Sequence, residues 1–401
     1  MRDFKYLIVG AGMTADAATE GIRELDATGS IGMIGAEPDP PYDRPPLSKK
    51  LWFGDPLESI WRQTASRQVE LFTGRRVVSV DVDARTVTEE QGTQYRYSKL
   101  LLATGGTPRR FDFGEGLVTY YRTVRDYQAV RAQADSKQRF AVIGGGFIGS
   151  EMAAALATVK KDVVLVMPDH GICSRVFPAE LSKFVTDRFR QKGVEIRDGE
   201  KLLGVRENGD RLVLTLVSGA EFEVDAVVAG IGIVPDVELA RKSGLLVGNG
   251  VVVDELLRTT RPDIFAAGDV AEFYNPLLDK RLRLEHEDNA NKMGKQAGRN
   301  MAGAGEPFHH LSLFYSDLFE DGYEAIGDTD PRLETVVDWL EPGRKGAVYY
   351  LDHGRVRGVL LWNVWKKIPA ARKLMARPGP IAAEDLVGKW LTGKQAEKPE
   401  F

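Results

Sequence analysis

Along the first third of the chain, apolar positions cluster into short runs separated by glycine-rich turns and by segments with helical spacing. Lys5 to Val9, Lys-Tyr-Leu-Ile-Val, reads as a buried strand. The turn Gly10-Ala-Gly12-Met-Thr-Ala15 follows and opens a predicted helix through Leu25, after which Ser30 to Gly35 forms a second strand ending at Glu37. The same order returns at Phe140-Ala-Val-Ile-Gly144-Gly-Gly146-Phe-Ile-Gly149-Ser-Glu151, with an alanine-rich helix through Val159 and a strand from Asp162 to Met167. Three more apolar runs read as buried strands ending in small-residue turns: Leu100 to Pro108, Asp225 to Asp236, and Thr259 to Asp269. Strands alternating with helices predict parallel sheets. Gly10 and Gly144 stand 134 residues apart, which suits one such domain inserted into another. Late in the chain, Gly346 to Leu351 and Arg355 to Trp362 add β-rich stretches.

Each glycine turn has the residue types of a dinucleotide site. Gly10 permits the tight turn, Gly12 lets the backbone approach a pyrophosphate, and small Ala15 keeps helix and strand close. The helix N-terminus adds free N–H groups and a positive dipole end. Glu37, at the end of the second strand, is placed to accept hydrogen bonds from ribose hydroxyls. In the second copy, Gly144, Gly146 and Gly149 repeat the pattern, so two dinucleotides are expected. The acid there is Asp169, two residues past the strand, which favours NADH, whereas Arg175 is suited to the 2′-phosphate of NADPH. NADH is the expectation, with NADPH left open. Gly268 is expected to bring the chain close to a ligand and Asp269 to bind a ribityl hydroxyl.

Composition narrows the function. A chain of 401 residues with 43% apolar and 28% charged residues is a multidomain globular protein, and a net charge of −4 argues against general nucleic-acid binding. No apolar run reaches the roughly 20 residues of a membrane span, and Met1 to Lys5 leads straight into a strand, so a cytoplasmic location is expected. Cys173 is the single cysteine, which rules out an intrachain disulfide relay and a cysteine zinc site. It reads as a structural thiol. His309-His310 lacks metal-like spacing, and no metal site is expected.

With these pieces in order, the sequence resembles the flavoproteins of the glutathione-reductase structural class with two dinucleotide-binding domains, more narrowly the apoptosis-inducing factor and ferredoxin reductase branch, in a bacterial-type form. The resemblance is carried by Pro41-Tyr-Asp-Arg44-Pro-Pro-Leu-Ser-Lys49-Lys-Leu-Trp52, Leu102-Ala-Thr-Gly-Gly-Thr-Pro-Arg109, the second glycine turn, and Leu284-Glu285-His286-Glu-Asp-Asn289-Ala290. Tyr315-Ser-Asp-Leu, Gly322-Tyr-Glu-Ala-Ile-Gly327 and Val359-Leu-Leu-Trp362-Asn363 extend it to the C-terminal part. It implies that Arg44, Val77, Ala103, Thr104 and Gly105 contact FAD, and that Lys49 sits near flavin N5, paired with Glu151 or Glu285. It further implies that Phe147 gates the nicotinamide, that Glu151 holds its amide, that Ile148 and Gly232 line the nucleotide, and that Glu285 and His286 sit beside the isoalloxazine at a helix N-terminus. Tyr315 departs from the pattern, because relatives often carry tryptophan there.

The expected fold is α/β: two Rossmann-like dinucleotide-binding domains, one inserted in the other, plus a C-terminal α+β domain. The expected boundaries are 1–112 and 238–304 for FAD, 113–237 for NAD(P)H, and 305–401 for the C-terminal domain. The implied reaction is hydride transfer from NADH to flavin N5, with Lys49, Phe147, Glu151 and Glu285 as the catalytic set. Electrons then pass to a separate acceptor, for which ferredoxin, a quinone, a dye and dioxygen all stay open. Lys366-Lys367, Arg372-Lys373 and Arg377 concentrate positive charge that suits an acidic carrier such as ferredoxin. The alternative is a slow NADH redox sensor like apoptosis-inducing factor, in which a charge-transfer complex controls conformation or homodimerisation.

Overall fold

The computed structural model describes residues 1–389. They divide into two compact units, one made of Met1–Arg44, Leu57–Thr107 and Val234–Ser312, the other of Pro45–Pro56, Pro108–Ile233 and the residues from Leu313.

In the first unit a parallel sheet runs in the order Val69–Phe72, Ile31–Ile34, Arg2–Val9, Gln94–Leu102 and Ile264–Ala266. Strands Thr86–Glu89 and Val77–Asp81 continue it antiparallel beside Gln94–Leu102. Leu7, Ile8, Leu100 and Leu101 are fully buried, as expected of strands covered on both faces. Each such side chain contributes about 1.5–3 kcal/mol by leaving water. Helix Met13–Arg23 crosses helix Glu287–Met301 at close range, because Gly294 and Gly298 face the backbone carbonyls of Thr14 and Ala18 with no room for a Cβ.

The second unit has a five-stranded parallel sheet in the order Glu195–Asp198, Asp162–Met167, Arg139–Ile143, Ala226–Ala229 and Val118–Tyr120. Helix Phe147–Thr158 connects two of its strands. A five-stranded antiparallel sheet follows, in the order Leu313–Leu318, Asp321–Gly327, Arg355–Trp362, Lys345–Asp352 and Glu334–Glu341, with helix Ile368–Met375 after it. Phe177 packs edge-on against Tyr323 and Trp362, and Tyr350 donates to the Val176 carbonyl, so the loop before helix Ala179–Gln191 is held against the antiparallel sheet.

Three elements differ from expectation. The first helix stops at Arg23 rather than Leu25, because the Arg23 guanidinium gathers the carbonyls of Asp26, Gly29 and Arg67 and turns the chain away. The run from Thr259 is strand only over Ile264–Ala266, since Arg261 and Pro262 sit in a turn and Gly268–Val270 forms a single 3-10 turn. The run from Asp225 is strand over Ala226–Ala229 and again over Ile233–Pro235, while the Asp225 carboxylate instead accepts the N–H groups of Gln138 and Arg139.

Candidate functional site

The first unit builds one cradle at the ends of its parallel strands. Gly10, at φ +114°, donates its N–H to Ile34, and a Cβ there would strike the Ala103 carbonyl, so the two strand ends meet at this glycine. Gly12 caps the helix, and the space beside it is open for 4 Å. Ala15 is fully buried. Glu37 accepts from the Tyr42 hydroxyl at 2.6 Å and from the Arg44 guanidinium at 2.5 Å. Thr104 Oγ1 donates to the Asp236 carbonyl, and Gly105 accepts the Asp236 N–H, which fixes the turn after Ala103. Val77 begins its strand half-buried against the core of this unit.

Gly268, expected to face a ligand, has its Cβ space filled by Thr14 and donates its N–H to the Met293 sulfur. Its backbone at φ +77° and the Thr14 contact both call for glycine. Arg283, which the sequence reading passed over, bonds the Asp269 carbonyl at 3.0 Å and pairs with Glu285 at 2.7 Å. His286 caps helix Glu287–Met301, and burial pushes its pKa down to about 4 against the opposing pull of Asp269 and Asp288. Its imidazole is therefore neutral at pH 7.

Asp16, buried in the first turn of helix Met13–Arg23, was also passed over. Arg62 and Arg67 neutralise it at 3.2 and 2.8 Å, and Thr64 donates to it. Arg62 further holds Asp43 and Asn291, so it braces the segment carrying Arg44. A buried carboxylate is tolerable only with such partners.

The second unit builds the other cradle. Gly144, at φ +110°, donates to Val166, and a Cβ on it would lie 2.5 Å from the Gly230 carbonyl. Gly149 packs on the Gly144 carbonyl. Gly146, the cap of helix Phe147–Thr158, has open space beside it, as Gly12 does in the first unit. Gly232 lies at φ +89° with Arg109 as its neighbour. Ile148 is exposed, and Phe147 tilts against Phe314 at 5.6 Å between ring centroids. Asp169 and Arg175 pair with each other at 3.2 Å. Cys173 donates its backbone N–H to Gly145, while its thiol is buried and pushed up to about 12.

Lys49 belongs to this second unit. The Leu47 carbonyl accepts from Trp52 Nε1 and the Tyr121 hydroxyl, and Tyr127 donates to Leu51, which holds the lysine-bearing turn. Lys49 Nζ lies 2.7 Å from Glu151, whose side chain is 3% exposed; Glu285 has Arg283 instead. The Tyr315 ring sits over the ammonium at 5.3 Å. Ser48 and Ser316 also donate to Glu151. Glu151, expected to hold the nicotinamide amide, thus accepts one donor on Oε2 and two on Oε1. His310 pairs with Asp288, and no metal-binding cluster occurs among the described residues.

In both cradles the capping glycine alone leaves room where its neighbours are packed, which fits the pyrophosphate of a dinucleotide at each helix end. The residues present thus fit FAD and NADH.

Residues 4–294 match the pyridine nucleotide-disulphide oxidoreductase family model, and residues 297–344 and 340–377 match the C-terminal model of mitochondrion-associated apoptosis-inducing factor. Mitochondrial apoptosis-inducing factor 1 of Dictyostelium discoideum is 33% identical over 96% of this chain and 80% of its own length. The ferredoxin–NAD(+) reductase component of the Burkholderia cepacia anthranilate 1,2-dioxygenase system is 35% identical over 92% of this chain and 94% of its own. Among solved structures, the covalent putidaredoxin reductase–putidaredoxin complex superposes with a TM-score of 0.90 at 29% identity, covering 97% of both chains. The chain therefore belongs to the pyridine nucleotide-disulphide oxidoreductase family, on its apoptosis-inducing factor and ferredoxin reductase branch, and is an FAD-dependent NAD(P)H oxidoreductase.

Proposed function

We propose that this chain oxidises NADH and delivers the electrons to an acidic, ferredoxin-type carrier protein, with FAD bound by residues 1–112 and 238–304, NADH by 113–237, and 305–401 as a C-terminal domain. The observation that carries this reading is the state of Cys173: the single cysteine is buried with its thiol pushed up to about 12, so no thiol relay stands between cofactor and acceptor. When bound, FAD takes two electrons from NADH and releases them to a carrier. The protein's own groups orient and stabilise. Gly12 and Gly146 leave space for the two pyrophosphates, and Glu37, held by Tyr42 and Arg44, serves as the acceptor for ribose hydroxyls. Lys49 presents a nearly buried cation, fixed by Glu151, where negative charge develops. Phe147 and Tyr315 supply ring faces for the nicotinamide side. Asp169 favours NADH, and its ion pair with Arg175 occupies the group otherwise suited to a 2′-phosphate.

A carrier of negative charge suits the basic helix Ile368–Met375 and the residues before it, where Lys366 and Lys373 are exposed and Lys367 and Arg372 partly so. The relatives named for ferredoxin support the same acceptor. The match of residues 297–377 to the apoptosis-inducing factor C-terminal model favours a second reading, a slow NADH-responsive sensor. Anaerobic stopped-flow with NADH, then with a [2Fe–2S] ferredoxin, separates them. Rapid bleaching followed by rapid carrier reduction supports the reductase. Long-wavelength absorbance that persists while the carrier stays oxidised overturns it in favour of the sensor.

A further inference from the structure

Glu151 receives Ser48 Oγ on Oε2 at 2.5 Å, and on Oε1 it receives both Lys49 Nζ at 2.7 Å and Ser316 Oγ at 2.6 Å. The lysine and glutamate side chains are only 11% and 3% exposed. A buried ion pair of this kind gains little from Coulomb attraction alone, because taking both charges out of water costs about as much as their attraction returns. Further hydrogen bonds to the remaining lone pairs tip the balance. Without Ser48, Oε2 would face a nearly dry interior with none of these donors.

Ser316 has no apolar reason for its place. It lies on the buried face of strand Leu313–Leu318, between Phe314 and Leu318, and is itself 1% exposed. An alternating strand normally puts an apolar residue there, and burying an unbonded hydroxyl costs free energy. The hydroxyl is accounted for by its bond to Glu151.

We infer that Ser48 and Ser316 are positioning residues which lock the Glu151 carboxylate and, through it, set the position of the Lys49 ammonium. The terminal torsion of glutamate is broad, so a carboxylate held on one oxygen can swing. Donors on both oxygens remove that freedom. Lysine is a point charge on a flexible stem and takes its location from its partner. Sharing Oε1 with Ser316 also divides the carboxylate's pull, which leaves the ammonium's field available to charge developing beside it. Neither serine touches a cofactor in this role.

The test uses Ser316→Ala, Ser48→Ala and Ser316→Thr in the FAD-loaded protein. Flavin midpoint potential comes from an anaerobic redox titration, and the rate of flavin reduction at saturating NADH from stopped-flow. Both alanine variants are expected to keep FAD and the wild-type Kd for NADH within about twofold. Their midpoint potential should move negative by about 30 mV, the two-electron equivalent of tenfold, with reduction about tenfold slower. Ser316→Thr keeps the hydroxyl and should stay near wild type. Wild-type potential and rate in both alanine variants would overturn the inference, as would a Ser316→Thr variant as impaired as Ser316→Ala. If the alanine variants lose FAD, the near-isosteric pair Ser316→Thr and Ser316→Val decides. A potential retained only by the threonine supports the role, and equal potentials overturn it. All readouts use the NADH half-reaction and are independent of the acceptor.

Discussion

His286 illustrates how position overrides the chemistry suggested by a residue's type. Histidine ordinarily titrates near neutral pH, but burial lowers the pKa of His286 to about 4, with Asp269 and Asp288 only partly opposing. An unfolded chain protonates histidine near pH 6.5. As pH falls below that value, the unfolded state takes up a proton that the folded state refuses until about pH 4. Stability is therefore unaffected by this group above about pH 7, and is lost progressively between about 6.5 and 4. Urea unfolding at pH 7.5 and pH 5 checks this: His286→Gln is expected to narrow the difference between the two pH values, and an unchanged difference would contradict the assignment. Activity between pH 6 and 8 should show no titration from this residue.

At the scale of elements, the glycines of the two helices divide into two kinds. Gly298 lies where a Cβ would press into the Ala18 carbonyl, whereas Gly146 has nothing within 4 Å of that position. Helix propensity alone favours alanine over glycine by about 1 kcal/mol inside a helix. For Gly298→Ala the clash with backbone wins, since overpacking costs about 1–3 kcal/mol, and the variant should unfold at lower denaturant with weakened FAD retention. Gly146→Ala should leave the unfolding midpoint nearly unchanged, because the cap has extended backbone angles and free space. It should instead weaken NADH binding by tenfold or more, as the methyl enters the pyrophosphate's place. Unfolding curves and NADH titrations on the two variants test the distinction. If Gly146→Ala binds NADH normally, that space does not serve the nucleotide.

For the whole molecule, a net charge of −4 repels an acidic carrier at long range, and the basic helix Ile368–Met375 must overcome this locally. Carrier reduction should therefore slow several-fold between about 50 and 300 mM salt, while flavin reduction by NADH does not. Reversal at exposed Lys373→Glu should lower the carrier rate constant about tenfold at low salt and spare the NADH step. Equal rates in the variant would move the docking surface elsewhere.

The sequence by itself determined the two glycine turns, the strands and helices around them, the two dinucleotides and the lack of a cysteine pair. These are properties of short stretches or of simple counts, and a strand followed by a glycine turn and a helix is specified by residues next to one another. Even there, the ends of elements depended on long side chains, as where Arg23 cuts the first helix short. What only the tertiary structure decided lies between distant segments. Lys49 could have paired with Glu151 or Glu285; it pairs with Glu151, and Arg283 takes Glu285. Ser316 and Glu151 are separated by 165 residues, and Arg62 and Asn291 by 229. A hydrogen bond between such partners leaves no periodicity in either segment, since any small polar residue at a buried strand position looks alike until its acceptor is in place.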